Sequence, residues 1–288
     1  MLPPEATRGD GEAGPAGHWP RPADRALPAA PANPEGRSRK IPSDFVIFTR
    51  ARSGSNSLMS RLDSCPDVTC HGEIFKRKRI DIAREHRRRL PIATVPGRNA
   101  DPLGFVAGIR GLDPDAHVGF KVFPEHLVAA PGAIAHILAP ATRRIVLTRA
   151  PLETYASGLR MKATGVHSLR EGDRPVPGTL DAKVRFTRRN FRRFHAGYNR
   201  FMLLARAIAA LPGSFVIPYG QINDPGALDA LFAFVGSSAR AADSSTAFRK
   251  QHAGSLADGF ENWDELQAFL GRAAPIFLDP PPPSHPPG

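Results

Sequence analysis

Phe45-Val46-Ile47-Phe48-Thr49-Arg50-Ala51-Arg52-Ser53-Gly54-Ser55-Asn56-Ser57-Leu58 is the stretch that decides how the chain is read. Four consecutive apolar residues, 45–48, form a run of buried-strand type. The run enters a turn of small residues, and a helix with Leu58, Met59 and Leu62 on one face follows at once. The first backbone N–H groups of such a helix have no intrahelical partners, and with the helix dipole they make an anion site. Gly54 permits close backbone approach, Ser53, Ser55 and Ser57 add hydroxyl donors, and Arg52 adds a planar fork suited to phosphate or sulfate oxygens. The plainer alternative is a strand–turn–helix in which a serine only caps the helix. A Walker A loop requires G-x-x-x-x-G-K-[ST]. Here Gly54 leads into Ser55-Asn56 and the earlier glycine is missing, which argues against Mg²⁺-dependent ATP or GTP chemistry.

Strands and helices alternate outward from this loop. Residues 118–123, 145–148 and 214–217 read as three further strands. Leu152, Tyr155, Ala156 and Leu159 recur at helical spacing after the strand at 145–148. Val184, Phe191, Phe194, Tyr198, Ala205 and Ile208 mark a long amphipathic helix ending near Pro212, and Leu228, Leu231, Phe232 and Val235 mark another closed by Gly236. This order implies an α/β fold: a P-loop-like three-layer α/β/α arrangement around a central parallel sheet, with ligands beyond the carboxyl ends of the strands.

The 288 residues, 41% of them hydrophobic, suffice for one substantial core. Half of the 30 prolines fall in residues 1–40 and 271–288. Residues 1–40 therefore read as a disordered Pro/Ala-rich tail, 41–270 as the folded domain, and 271–288 as a Pro-rich tail. No apolar stretch is long enough for a membrane span, and the N-terminus lacks the apolar core of a signal peptide, so a cytoplasmic location is the expectation. Cys65 and Cys70 read as reduced core residues, which excludes a disulfide scaffold; no metal-ligand cluster stands out. Net charge is +12, and two segments account for the excess: residues 76–90 with eight basic and two acidic residues, and residues 183–200 with seven basic and none acidic. A polyanionic partner is implied, whether nucleic acid, anionic glycan, anionic lipid or nucleotide.

The phosphate loop resembles the 5′-phosphosulfate loop of sulfotransferases that use 3′-phosphoadenosine 5′-phosphosulfate (PAPS). Cytosolic members have Lys at the position of Arg52; the Arg form is more like carbohydrate-type and bacterial members. Arg144-Ile145-Val146-Leu147-Thr148-Arg149-Ala150-Pro151, followed by Ser157, is similar to the family's 3′-phosphate motif, about 95 residues downstream and in the expected order. Gly72-Glu73-Ile74-Phe75 resembles the segment that carries a glutamate base in bacterial members. Tyr219-Gly220-Gln221-Ile222-Asn223-Asp224-Pro225 resembles the turn after a later strand, without its usual acidic pair. Arg249-Lys250-Gln251-His252 and Glu261-Asn262-Trp263 resemble the nucleotide-side loop and closing helix.

The resemblance implies a PAPS-dependent sulfotransferase acting on a hydroxyl, of a carbohydrate or glycolipid by preference, with no metal. Arg52, Ser53, Gly54, Ser55, Asn56, Ser57, Arg149, Ser157 and Lys250 would bind PAPS, with Arg52 at one end of the nucleotide and Arg149 and Ser157 in a separate pocket at the other. Sulfuryl transfer needs positioning and charge stabilisation rather than covalent help from the protein. Glu73 is the preferred general base, with a pKa raised by burial, and His71, two residues away in an extended segment, is the alternative. Lys121 interrupts an apolar strand and is either a second catalytic cation or a snorkelling edge residue. Residues 164–178 read as a mobile acceptor-selecting loop, and the two basic segments as acceptor or nucleotide rims. Two other readings stand beside this one. A nucleic-acid-binding protein would show steeply salt-dependent binding, and an atypical P-loop kinase would show Mg²⁺-dependent ATP turnover.

Overall fold

The structure, a computed structural model, describes residues 43–174, 177–249, 251, 254–273 and 277. The expected N-terminal tail, most of the C-terminal one, and Lys250 lie outside the described residues. Five strands, β1 (Asp44–Phe48), β2 (Val68–His71), β3 (His117–Val122), β4 (Arg143–Thr148) and β5 (Ser214–Pro218), form one sheet in the order β2-β3-β1-β4-β5. Every pairing is parallel. Among the described residues the helices are α1 (Ser55–Asp63), α2 (Arg84–Arg87), α3 (Val95–Ala100), α4 (Pro102–Arg110), α5 (Pro124–Ala129), α6 (Ala133–Leu138), α7 (Pro151–Thr164), α8 (Arg188–Ala209), α9 (Pro225–Val235) and α10 (Trp263–Leu270). The expected α/β architecture with a central parallel sheet is what forms.

Both faces of the sheet are covered, because the strands alternate their apolar side chains between two cores. On β1, Val46 and Phe48 join one cluster with Phe105, Val122, Ile137, Phe201 and Met202, beneath α4, α6 and α8. Phe45 and Ile47 point the other way, to Leu58, Leu62, Leu228 and Phe232 on α1 and α9. A third cluster, with Leu152, Phe186, Phe191, Phe260 and Leu266, joins α7, α8 and α10.

The β1–β3 seam is close enough to exclude a side chain at Gly119, where an added Cβ would lie 2.1 Å from the Phe45 ring. Gly119→Ala is therefore expected to overpack the seam and destabilise the protein by about 1–3 kcal/mol. Urea unfolding measures this, and an unchanged midpoint would contradict it.

Three local expectations need correction. β2 is a strand the sequence does not announce, since Val-Thr-Cys-His is short and half polar; its one pairing, to β3, fixes it. The long helix begins at Arg188, where the Thr187 side chain accepts from the Asn190 N–H, while Val184 sits in an isolated bridge to Phe260. Lys121 is no edge residue: β3 lies between β2 and β1, and Lys121 is 2% exposed.

The carboxyl ends of all five strands open on one edge. Arg52 follows β1, Glu73 follows β2, Phe123 follows β3, Arg149 follows β4 and Tyr219 follows β5. In an open parallel sheet this edge is where ligands sit.

Candidate active site

The loop between β1 and α1 holds two left-handed residues, Arg52 at φ 72° and Gly54 at φ 85°. Arg52 is the one non-glycine residue with positive φ among the described residues, a conformation of order 1–3 kcal/mol in cost that persists where surroundings enforce it. At Gly54 an added Cβ would lie 2.4 Å from the Tyr219 ring, so position 54 admits only glycine on both grounds. Gly54 is also the N-cap of α1, and no side chain caps that helix. Its carbonyl takes the N–H groups of Ser57 and Leu58. The capping-serine alternative is thus not what forms, and α1 directs an uncapped positive end at the cavity.

Three of the expected donor-binding side chains meet in one cluster. Arg52 Nε donates to Ser157 Oγ at 3.0 Å, and its two terminal nitrogens donate to the His167 carbonyl and to Gln251 Oε1. Arg149 Nη1 donates to the Arg52 carbonyl at 3.1 Å, and Arg149 Nε pairs with Glu153 at 2.9 Å. The Arg149 guanidinium lies 4.0 Å from the centre of the Tyr219 ring. Burial first, then the neighbouring Arg149 charge, lowers the Arg52 pKa. Arg160, one turn beyond Ser157 on α7, adds a third guanidinium to the cavity wall, and its Nε and Nη2 are buried without a partner among the described residues. The expectation of two separated cationic pockets is not met. The backbone at Arg52 turns its side chain toward α7, so the loop arginine and the β4–α7 motif share one cluster.

Glu73 closes the other end of the cavity. Its carboxylate lies 3.3 Å from Lys76 Nζ and 3.5 Å from His126 Nε2. Nδ1 of His126 accepts the Phe123 N–H at 3.1 Å, which leaves the proton on Nε2, facing the carboxylate. Burial alone would raise the Glu73 pKa, as the sequence reading expects. The His126 hydrogen bond, then Lys121 and Lys76, outweigh it and hold the group at about 2. Lys121 lies beneath the site and donates to Asn56 Oδ1. Burial lowers its pKa, opposed by Glu73 and Asp81. Asp81 Oδ2 also accepts the Glu73 N–H at 3.4 Å.

Between the two ends lies one cavity of about 1240 Å³. Arg52, Gly54, Ser55, Asn56, Ser57, Glu73, Arg149 and Ser157 all line it. Ser53, His71 and Lys121 do not: Ser53 is fully buried, Lys121 lies under Asn56, and His71 packs edge-on against His86. His71 and Glu73 therefore do not share the cavity, because the strand ends at His71 and the chain turns at Gly72. The basic segment 76–90 contributes Lys76, Lys78 and Arg79 to the rim, and loop 164–178 contributes His167, Ser168 and Leu169; segment 183–200 contributes nothing.

No family model and no curated protein matches the chain. Solved structures do, and three of them follow. A sulfotransferase from Alicyclobacillus acidocaldarius aligns over 81% of this chain and 92% of its own, at 16% identity and a TM-score of 0.40. The sulfotransferase domain of the curacin biosynthetic pathway aligns over 86% and 95%, at 14% identity and 0.42. Retinol dehydratase, in complex with androsterone and the inactive cofactor PAP, aligns over 84% and 82%, at 14% identity and 0.43. The site itself rests on this chain's own residues.

Sequence reasoning passes over His126, Asp81, Tyr219, Glu153 and Arg160 as site residues. Arg160 had a usable signal, since it stands three positions after Ser157 and so on the same helix face. Tyr219 had another, at the carboxyl end of a strand. His126 and Asp81 reach Glu73 only through tertiary packing.

Proposed function

We propose that the chain transfers a sulfuryl group from PAPS to a hydroxyl of a polar acceptor, with carbohydrates and glycolipids the favoured class. The observation that carries the reading is the convergence of Arg52, Arg149 and Ser157 with the uncapped start of α1 in one cavity that ends at Glu73.

The donor supplies an activated S–O bond. The acceptor oxygen forms a new bond to sulfur while the bond from sulfur to the nucleotide phosphate breaks, its electron pair staying on the phosphate. Arg52 and the N–H groups of α1 stabilise that developing charge. Glu73, ionised and held by His126 and Lys76, orients the acceptor hydroxyl and takes its proton as the new bond forms. A polar acceptor is supported by the charged residues that line the cavity along with Glu73: Lys76, Lys78, Arg79, Asp81 and Glu125.

The test is transfer from labelled PAPS to a panel of glycans and lipids, beside binding of the 3′,5′-bisphosphate product and of 5′-AMP. The bisphosphate is expected to bind at least about tenfold more tightly, the effect of one charge-assisted hydrogen bond. Equal affinity would remove the assigned role of Arg149 and Ser157.

A further inference from the structure

The outer face of α8 is a strongly basic surface that the cavity does not use. Arg188, Arg189, Arg192, Arg193, Arg200 and Arg206 are all exposed along this 22-residue helix, roughly 33 Å long, which contains no acidic residue. None of the six has a carboxylate partner among the described residues. Leu203 is three positions from both Arg200 and Arg206, so it shares their face, and it is 66% exposed.

The exposed apolar residues follow the same asymmetry. The large apolar side chains exposed among the described residues are Leu103, Val128, Ile134, Leu138, Leu203 and Leu204. They lie on α4, α5, α6 and α8, the helices whose inner faces pack into the cluster on one face of the sheet. Helices α1 and α9, on the opposite face, expose none. Segment 76–90 anchors to the same cluster through Ile80, Ile82 and Leu90 and exposes Arg77 and Arg88. The second basic segment and all of these exposed apolar groups thus belong to one helical layer, and segment 76–90 packs into the same core.

We infer that this layer, centred on the outer face of α8, docks on an anionic lipid bilayer. Guanidinium groups bind headgroup phosphates as a planar fork, while isolated leucine and valine side chains enter the acyl boundary. A nucleic acid or soluble polyanion uses the arginines and leaves Leu203 and Val128, which is 83% exposed, in water. A protein partner fits less well, because its anchors are typically aromatic groups gathered in a patch. Here one or two aliphatic side chains per helix are spread over four helices. Only a surface that offers anionic groups and apolar depth everywhere matches that distribution. The inference is independent of sulfuryl transfer.

Co-sedimentation of the full chain with phosphatidylcholine vesicles, with and without phosphatidylglycerol, tests it. Binding is expected only with the anionic lipid. An Arg192→Gln/Arg193→Gln/Arg200→Gln variant should bind roughly 100-fold more weakly, since each basic residue near such a surface contributes about 1 kcal/mol. A Val128→Gln/Leu203→Gln variant keeps the charge and should lose about tenfold from the lost apolar burial. Thermal unfolding of both variants confirms that these exposed changes leave the fold intact. Equal binding to neutral vesicles, no binding at all, or wild-type binding by the Val128/Leu203 variant would overturn the inference. Tighter binding to single-stranded RNA than to the anionic vesicles would overturn it as well.

Discussion

Arg52→Ala is expected to lower sulfuryl transfer by about 10²–10³-fold, the usual effect of removing one preorganised donor from a charge-developing centre, and to weaken bisphosphate binding with it. The reason lies in how many segments this side chain joins. It reaches Ser157 on α7, the His167 carbonyl and Gln251, while its own carbonyl receives Arg149. Truncation removes a cation from the anion site and also releases the two segments that wall it. Arg52→Lys keeps the charge without the fork, so an intermediate loss is expected. Arg52→Gly separates the side chain from the backbone. It relieves the left-handed strain at φ 72° but loses the same three hydrogen bonds, so it should be more stable than the alanine variant, less stable than wild type, and as inactive as alanine. Initial rates and bisphosphate titrations on the three variants decide the matter. Rates within threefold of wild type for Arg52→Ala would remove this residue from the site.

What the sequence makes legible here is set by how local the determining physics is. The phosphate loop is local: an apolar run, a glycine and a helix start are contiguous, so β1, the turn and α1 are readable from residues 45–62. The same holds for the strand–helix unit carrying Arg149 and Ser157. Short elements escape because their stability comes from partners. β2 is held by pairing to β3, and α3 to α6 are six to nine residues each, too short to be stable alone in water. The direction of the Glu73 pKa escapes for a related reason. Burial is visible in a sequence as apolar neighbours, but the opposing cations come from Lys121 on β3 and His126 on α5, some fifty residues away. The Lys121 contribution could have been suspected from its place in an apolar strand, whereas the His126 contact depends on α5 turning back at Pro124.

The separation of the two basic segments is a second case. Read along the chain, both look like rims of a binding site. In the fold only the first reaches the cavity, because it follows β2 at the ligand edge. The second lies on a helix whose inner face carries Phe191, Tyr198, Phe201 and Met202, so its arginines are turned outward by the burial of the opposite face. Tyr198 still reaches the site from beneath, donating to the Arg149 carbonyl at 2.6 Å. The helix thus supports the anion cluster from below with one face and presents charge to an outside partner with the other.

Glu73→Gln is expected to lower turnover by about 10²–10⁴-fold, the range for a lost general base, with bisphosphate affinity nearly unchanged, since the carboxylate lies at the acceptor end. Glutamine preserves shape and accepts a hydrogen bond, but it cannot take the proton. The pH dependence gives an independent check. With its pKa held at about 2, Glu73 is ionised throughout the neutral and mildly acidic range, so it should produce no fall in activity between about pH 5 and 7. Its pKa lies below the ordinary carboxylate value. The stability it contributes is therefore present above about pH 4.5 and lost as pH falls toward 2. The stability difference between wild type and Glu73→Gln should be constant above pH 5 and shrink below pH 4. In the variant the buried Lys121 ammonium loses its strongest opposing charge and retains Asp81 and Asn56, so some loss of stability accompanies the loss of turnover. Asp81→Asn separates the two effects: it removes another charge facing Lys121, yet should leave most of the turnover if Glu73 is the base. Full activity in Glu73→Gln together with inactivity in Asp81→Asn would move the proton acceptor to Asp81, whose side chain lines the same wall and already accepts the Glu73 N–H.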